Sequence, residues 1–403
     1  MRSLNYHIVL VLVLQFVMGC DVRDNEFEPE KRFTKVYDDS DYDANYYPLD
    51  ISQTTDGGFL VLAVKGVWDP YLMKVDKLGE KVWEIHFTSP YSNPVPKLLK
   101  QNSGAHFFFC MNDNGLNQTY LMRIDENAGT VSEVAFLDEI TYPLSSSVTP
   151  DNGFILQGYN ADKRSSTLSK FGSGGNEQWT ESYNIFEDLE VPAILYHITR
   201  VDPPLPFFCG TLESQGGTAQ SYYFNGFANY NFAMTFVATG DGAQQGTIQG
   251  NRYEAAVSSA IQVSGNDFAV SRFEEDGSNF LAPRATIDPT TFSQSTALEG
   301  ELFKEVANKT IIKSELLDID GGQYIAYAAT SRSGKIIVQF YDVVNSNFSG
   351  AETFGLNQLY QIGELIQTSD GGLAILGMTT LEGQFDRLVI FKLSKEDLAG
   401  LVK

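Results

Sequence analysis

Cysteine and histidine are scarce in this chain of 403 residues, at three and four. No CxxC pair or Cys/His ligand spacing exists among them, which removes a structural zinc site. Long amphipathic charge-patterned stretches are also missing, which speaks against a helical bundle. Basic residues are outnumbered, with 28 Lys plus Arg against 51 Asp plus Glu and a net charge of −23. A field of that sign repels phosphate backbones, so nucleic acid is excluded as a partner, and adsorption to anionic lipid is disfavoured. No GxSxG elbow, HExxH or phosphate-binding loop occurs, and "GSGGNEQW" lacks the strand-to-helix setting of a nucleotide site. The sequence implies no cofactor and no metal.

Hydrophobic and aromatic residues are abundant, at 43% and 13%, with 35 glycines. That composition builds a large core from many short strands and turns. Cys110 closes "HFFFC" and Cys209 lies in "PFFCG", apolar runs where a thiol packs as a small hydrophobe. A Cys110–Cys209 disulfide in an oxidising compartment is the alternative. His86, His106 and His197 share no motif and read as ordinary strand residues. His7 lies in the N-terminal segment, residues 1–19, ahead of its apolar run.

The long apolar runs reduce to one, Ile8–Met18, interrupted by Gln15 and preceded by Arg2. Eleven residues are too few to span a bilayer and suit the core of a signal peptide. The run ends Val17-Met18-Gly19-Cys20. These residues resemble the lipobox of bacterial lipoproteins. The resemblance implies removal of residues 1–19 and attachment of diacylglycerol to Cys20, so that a lipid anchor holds the chain to a membrane. A plain secretory signal with an incidental cysteine is the competing reading. "DVRDNEFEPEKR" follows, an acidic tether over residues 20–31. Its acids resemble the surface-export signal of Bacteroidota lipoproteins, which implies the outer membrane, on its cell-surface or periplasmic side. A solvated spacer is the alternative.

The remainder, 32–403, repeats itself. "QTTDGGFLVLA" begins at Gln53 and "QTSDGGLAILG" at Gln367. Around the first copy lie four strand-like pieces, at Asp50–Thr54, Phe59–Val64, Tyr71–Val75 and Lys81–Phe87, separated by Gly-rich turns that tolerate positive φ. Further copies turn near Asn102-Ser103-Gly104, Asp151-Asn152-Gly153, Asp202-Pro203, Gly265-Asn266 and Asp320-Gly321-Gly322. Seven copies of about 45 residues with four antiparallel strands each predict an all-β, seven-bladed β-propeller, with six or eight blades as alternatives. A linear solenoid would need polar caps, whereas the first and last copies are the best preserved. One spacing is long, and 238–253 within it reads as a polar insertion at a propeller face. The seventh copy lacks a fourth strand, while Phe33–Tyr37 has no blade of its own, so this segment is expected to complete the last blade. Cys110 and Cys209 then lie in blades two and four, too far apart to bridge.

Asp56, Gly57, Gly58, Phe59, Lys74, Asp76, Gly79 and Trp83, with Lys170, Gly175 and Trp179 in the third copy, resemble DGGF-type propeller repeats of bacterial lipoproteins. That resemblance implies fold and location, not an activity. "DIDGG" at 318–322 could offer Asp318 and Asp320 to calcium, but hairpin chemistry explains it better. The aromatic run 221–236 could stack on sugars or pack between blades. The functional expectation is therefore a lipid-anchored cell-envelope propeller that acts as a binding or scaffolding module for a protein or glycan. The alternative is a glycan-degrading hydrolase or lyase on the same ring. An enzyme should gather acids or a histidine in the central channel; a binder should show an apolar or aromatic patch there or on the rim. No catalytic residue is assigned.

Overall fold

A computed structural model describes residues 31–37, 44–186, 190–199, 205–252, 254–381 and 385–402. The signal segment, Cys20 and most of the acidic tether lie outside these residues. Seven sheets, each with four antiparallel strands, follow one another along the chain, most of them built from consecutive strands. Each sheet packs an apolar face on its neighbour, and the last packs on the first. The protein is a seven-bladed β-propeller.

Blade 1 shows the plan, with strands Tyr46–Gln53, Phe59–Lys65, Asp69–Val75 and Lys81–His86 from the axis outward. Its second strand is buried from Phe59 to Val64, because blades cover both of its faces. The DGG turn works through each of its residues. Gly57 takes φ +84°, and Asn152 and Gly371 take +60° and +80° at the same place in blades 3 and 7. A Cβ on Gly58, Gly153 or Gly372 would stand 2.2 Å from a third-strand carbonyl. Asp56 accepts from the Thr54 hydroxyl and the Gly58 N–H, and holds the buried Lys74 ammonium at 2.6 Å. Asp151 with Lys170 and Asp370 with Lys392 repeat this unit at 3.0 and 2.9 Å. The repeated phrase thus includes a third-strand lysine that neutralises the turn aspartate.

Side chains also lock blades 1, 2, 5 and 7 to the blade before each in the ring. Gln367 exchanges two hydrogen bonds with the Asp318 backbone, and Gln262 two with that of Glu213. Lys100 donates to the Gln53 carbonyl, and Gln53 accepts from the Ser369 N–H. Gln53, Lys100 and Gln367 end their inner strands, and Gln262 lies two residues before the end of its own. Trp83 and Trp179 donate forward, to the Glu126 and Thr239 carbonyls of blades 2 and 4.

Ring closure follows the expectation. Phe33–Tyr37 pairs antiparallel with Phe385–Leu393 as the outermost strand of blade 7, from Phe33 opposite Lys392 to Tyr37 opposite Leu388. The chain then ends in helix α2 (Lys395–Leu401), capped by Ser394 and seated by Leu398 between blades 6 and 7. α1 (Glu190–Thr199) precedes it in the chain and links blades 3 and 4.

Blade 4 corrects the sequence reading. Its first hairpin turns at Ser214–Thr218, not at Asp202-Pro203, and Phe208–Glu213 is its inner strand. Residues 238–253 are no insertion. They supply the turn into strand Gln244–Gln249 of blade 4 and the connection onward. The extra length sits between blades 3 and 4, where α1 lies. The outer edge of blade 4 is covered by a parallel strand, Phe292–Gln294, reaching back from blade 5. Cys110 and Cys209 are free thiols in blades 2 and 4. Of the 221–236 aromatics, Tyr222, Tyr223, Phe224, Phe227, Phe232 and Phe236 are buried packing residues, while Tyr230 is exposed. Asp320 and Gly321, at φ +48° and +85°, form a two-residue hairpin loop, with Asp320 paired to Lys395.

Candidate functional site

The seven inner strands stand side by side around the axis, and the first half of each lines a cavity of about 290 Å³. Ile198 and His197 of α1 close part of its wall. His197 is therefore a helical cavity-lining residue, stacked edge-on against Phe207, and not the strand residue expected. Four of the inner strands are irregular at the level of the cavity. Register shifts fall between Pro48 and Asp50, Ser92 and Pro94, Val257 and Ser259, and Ile362 and Glu364. A bulge turns a side chain out of the alternation that would bury it between blades. In blade 2 the inner strand is split into Tyr91–Pro94 and Leu99–Lys100 by Val95-Pro96-Lys97-Leu98, where prolines at 94 and 96 remove ladder donors.

One repeat position recurs at the same level of the axis. Three residues before Gln53, Lys100, Val148, Gln262, Asp318 and Gln367, which pair with Phe59, His106, Phe154, Phe268, Gln323 and Leu373, stand Asp50, Lys97, Ser145, Ser259, Glu315 and Glu364 in blades 1, 2, 3, 5, 6 and 7. Cross-strand partners agree: Asp50, Glu315 and Glu364 face Leu62, Ala326 and Leu376, equivalent second-strand residues. In blade 4 a register shift puts Gly210 at this count. Blades 6, 7, 1 and 2 thus form a charged arc, and blades 3 and 5 supply hydroxyls opposite.

The charges are interlocked. Asp50, 1% exposed, accepts the Leu98 N–H on one oxygen and faces Lys97 Nζ at 3.6 Å with the other. Lys313 Nζ lies 3.3 Å from Glu364. Glu315 accepts only a long hydrogen bond, 3.5 Å, from the Gln367 N–H. Burial pushes the Asp50 carboxyl up to about 6, against the pull of Lys97. Burial lifts Glu315 further, to about 7, with Glu364 and Asp50 adding to it and Lys97 opposing. Lys97 is held above the ordinary lysine range, first by Asp50 and then by Glu364 and Glu315. Its side chain is 45% exposed because it faces the cavity. Among the described residues, the cavity-lining Asn93 Oδ1 and Ser146 Oγ are buried without a hydrogen-bond partner.

The face at which the blade connections reach this cavity is rich in exposed apolar side chains. Trp68 and Leu116 stand on turns between second and third strands. Tyr196 on α1 and Leu356 and Leu359 before blade 7 join them on the blade-to-blade connections, and Phe186 stacks on Tyr230 at 5.4 Å.

A second histidine sits in an arrangement that resembles hydrolytic machinery only on paper. Ser52 Oγ is 2.9 Å from His106 Nε2, and His106 Nδ1 is 3.4 Å from Glu126. His106 is fully buried, and Glu126 also accepts from Thr55 and, through its carbonyl, from Lys74 and Trp83. Burial lowers the His106 pKa to about 4. The group is a staple between blades 1 and 2.

The Asp50–Lys97–Glu315–Glu364 set went unread in the sequence, where acids are common. Its signal was present once the shared turn aligned the copies: this is the inner-strand column in which the repeats disagree. Among the described residues, no three His, Cys, Asp or Glu side chains converge as metal ligands.

No family model matches the chain, and no curated protein matches it. Solved structures do. The β-propeller domain of the trilobed protease from Pyrococcus furiosus is 8% identical, with 86% of this chain and 93% of that one covered, at a TM-score of 0.47. A mutant of AofleA from Arthrobotrys oligospora is 10% identical over 90% and 88%, at 0.43. The core factor of S. cerevisiae is 11% identical, with 92% of this chain and 59% of that one covered, at 0.50. At such identities the likeness extends to fold alone.

Proposed function

We propose that the chain is a lipid-anchored cell-envelope propeller that binds a small ligand in its central channel. The observation that carries the binding role is the charged group at the axis: Lys97, Lys313 and Glu364 line one cavity, with Asp50 and Glu315 beside them as interacting carboxyls. Proteins retain buried, partly unpaired charge at such cost where a ligand completes it. The apolar rim on the same face supports docking of a protein or glycan partner beside the mouth. The anchor is read from residues 1–20, with Cys20 as the lipid acceptor, and the acidic tether supports a cell-surface placement.

The acids an enzyme would need are present, but their setting favours binding over glycan cleavage. Asp50 is tied by a backbone N–H and Lys97, and Glu364 by Lys313. A cavity of about 290 Å³ suits one small molecule and not a polymer.

The test has two arms. A lipid-analogue label should enter the wild type and not Cys20→Ser, and external protease on intact cells should degrade the surface-exposed body. A metabolite library screened by thermal shift should yield a ligand at about 100 Kd that adds about 2.7 kcal/mol. The shift is about 3 °C for a domain this size. The channel-blocking variant Ser259→Trp should abolish it. A folded Ser259→Trp protein that keeps the full shift would refute channel binding.

A further inference from the structure

We infer that the ligand of this cavity is a neutral polyhydroxylated ring, a single monosaccharide, held through hydroxyl groups that both give and take hydrogen bonds. The inference rests on the channel-binding reading above and adds the ligand's chemistry.

The charges on the cavity wall leave no vacancy for a further ion. They are Lys97, Lys313 and Glu364. Both oxygens of Glu364 are engaged, one by Lys313 Nζ at 3.3 Å and the other by the Leu365 N–H at 3.1 Å. An entering cation therefore meets no open carboxylate on the wall. Lys97 is already countered by Asp50, and Glu364 and Glu315 also act on it. An entering anion would sit among those three acids. Either ion would give up its hydration without a counter-charge of its own.

What stays open is hydrogen-bonding capacity of both kinds. Lys97 faces the cavity, and its contact with Asp50, at 3.6 Å, is beyond hydrogen-bond reach and takes none of its three N–H donors. Asn93 Oδ1 is a vacant acceptor, and the Ser146 hydroxyl is vacant as donor and acceptor, on residues 8% and 6% exposed that line the cavity. The three belong to the inner edges of blades 2 and 3, neighbours in the ring. An ammonium ligand would leave Lys97 unanswered, and a carboxylate would leave Asn93 unanswered. Hydroxyls on one ring serve all three. Pro48, Ile198, Phe207, Ile261 and Ile362 supply apolar wall for the C–H surface of that ring. A cavity of about 290 Å³ is at the small end for a ligand site and suits one ring, not a chain.

Calorimetry on the purified chain tests this with D-glucose, D-galactose and D-mannose, each beside its 2-amino and its uronate counterpart. Ligands of this size reach affinities on the order of 1 mM. At least one neutral sugar should bind in that range, about tenfold or more tighter than both of its charged counterparts. Ser146→Ala should weaken it about fivefold, with a melting midpoint no lower than the parent's, since the hydroxyl has no partner in the protein. Ser259→Trp should abolish binding. A charged counterpart that binds as tightly as its neutral parent, and is lost in Ser259→Trp, overturns the neutral assignment and leaves channel binding standing. Affinity unchanged by Ser146→Ala but lost in Ser259→Trp overturns the hydrogen-bond argument and keeps the channel. A sugar that both variants bind as the parent does lies outside the channel and overturns both readings. No binding of any probe at about 30 mM overturns the sugar assignment, and channel binding is then decided by the metabolite screen.

Discussion

Phe33 offers the sharpest test of how the ring is held shut. It is 4% exposed and packs among Tyr46, Phe59 and Ile390, where blade 7 meets blade 1. Its ring also lies over Gly79, at φ +76°, where a Cβ would come within 2.7 Å of it. Phe33→Ala should cost about 3–5 kcal/mol, from lost transfer energy and the cavity left behind. At about 0.8 kcal/mol per degree for ~370 residues, the midpoint falls by about 4–6 °C. Gly79→Ala attacks the same contact from the other side, adding left-handed strain of about 1–2 kcal/mol to the clash. In the double mutant the clash disappears while the strain stays, so the two losses must sum to more than the loss observed. Val36→Ala, on an exposed residue of the same strand, should stay within about 0.5 kcal/mol. Differential scanning fluorimetry of the four variants decides it. Phe33→Ala melting within a degree of the parent would refute the latch, and strictly additive losses would refute the contact.

Other outcomes follow from the same structure. Glu315→Gln should raise the midpoint at pH 8 by about 1–4 °C and leave it unchanged near pH 4. Its folded-state pKa is raised, so the native protein holds the proton more tightly and loses that advantage as pH climbs from 4.5 through about 7. Asp56 behaves oppositely. Burial works against its charge, but Lys74, Thr54 and the Gly58 N–H hold it down to about 2, so its contribution is present above the unfolded value and lost as pH falls toward 2. Lys74→Met should flatten that acid limb in pH-dependent melts. Gln262→Ala and Gln367→Ala should each cost about 1–2 kcal/mol in urea unfolding and should add, since the two clasps share no partner.

The architecture was legible because turn chemistry is local. DGG, DNG and the paired Lys74, Lys170 and Lys392 mark hairpins whatever surrounds them. The missing outer strand of blade 7 was visible as a surplus one at Phe33–Tyr37. Blade 4 misled because its turn is Ser214-Gln215-Gly216-Gly217, without the aspartate, and because Asp202-Pro203 imitates one. The polar run at 238–253 read as a loop although Gln244–Gln249 is a strand whose partners, not its composition, place it in a sheet. The channel set was hidden for a different reason. Asp50, Lys97, Glu315 and Glu364 are scattered over more than three hundred positions, and each looks ordinary alone. Bulges beside Asp50 and Glu364, a strand break at Lys97 and the ring that brings up Glu315 on a regular strand gather them around one axis. The glutamines of the repeated phrase were seen as spacing marks, while their amides clasp adjacent blades.

The seam where the chain's two ends meet lies inside the charged arc. Blade 7 takes its outer strand from Phe33–Tyr37 and its other three from residues 360–393, and it carries Glu364 between Glu315 of blade 6 and Asp50 of blade 1. A growing chain therefore holds Asp50 and Lys97 early but cannot assemble the arc until residues 360–393 have been made. Competence to bind and completion of the ring become a single event, and a prematurely ended or unlatched chain presents no half-made site.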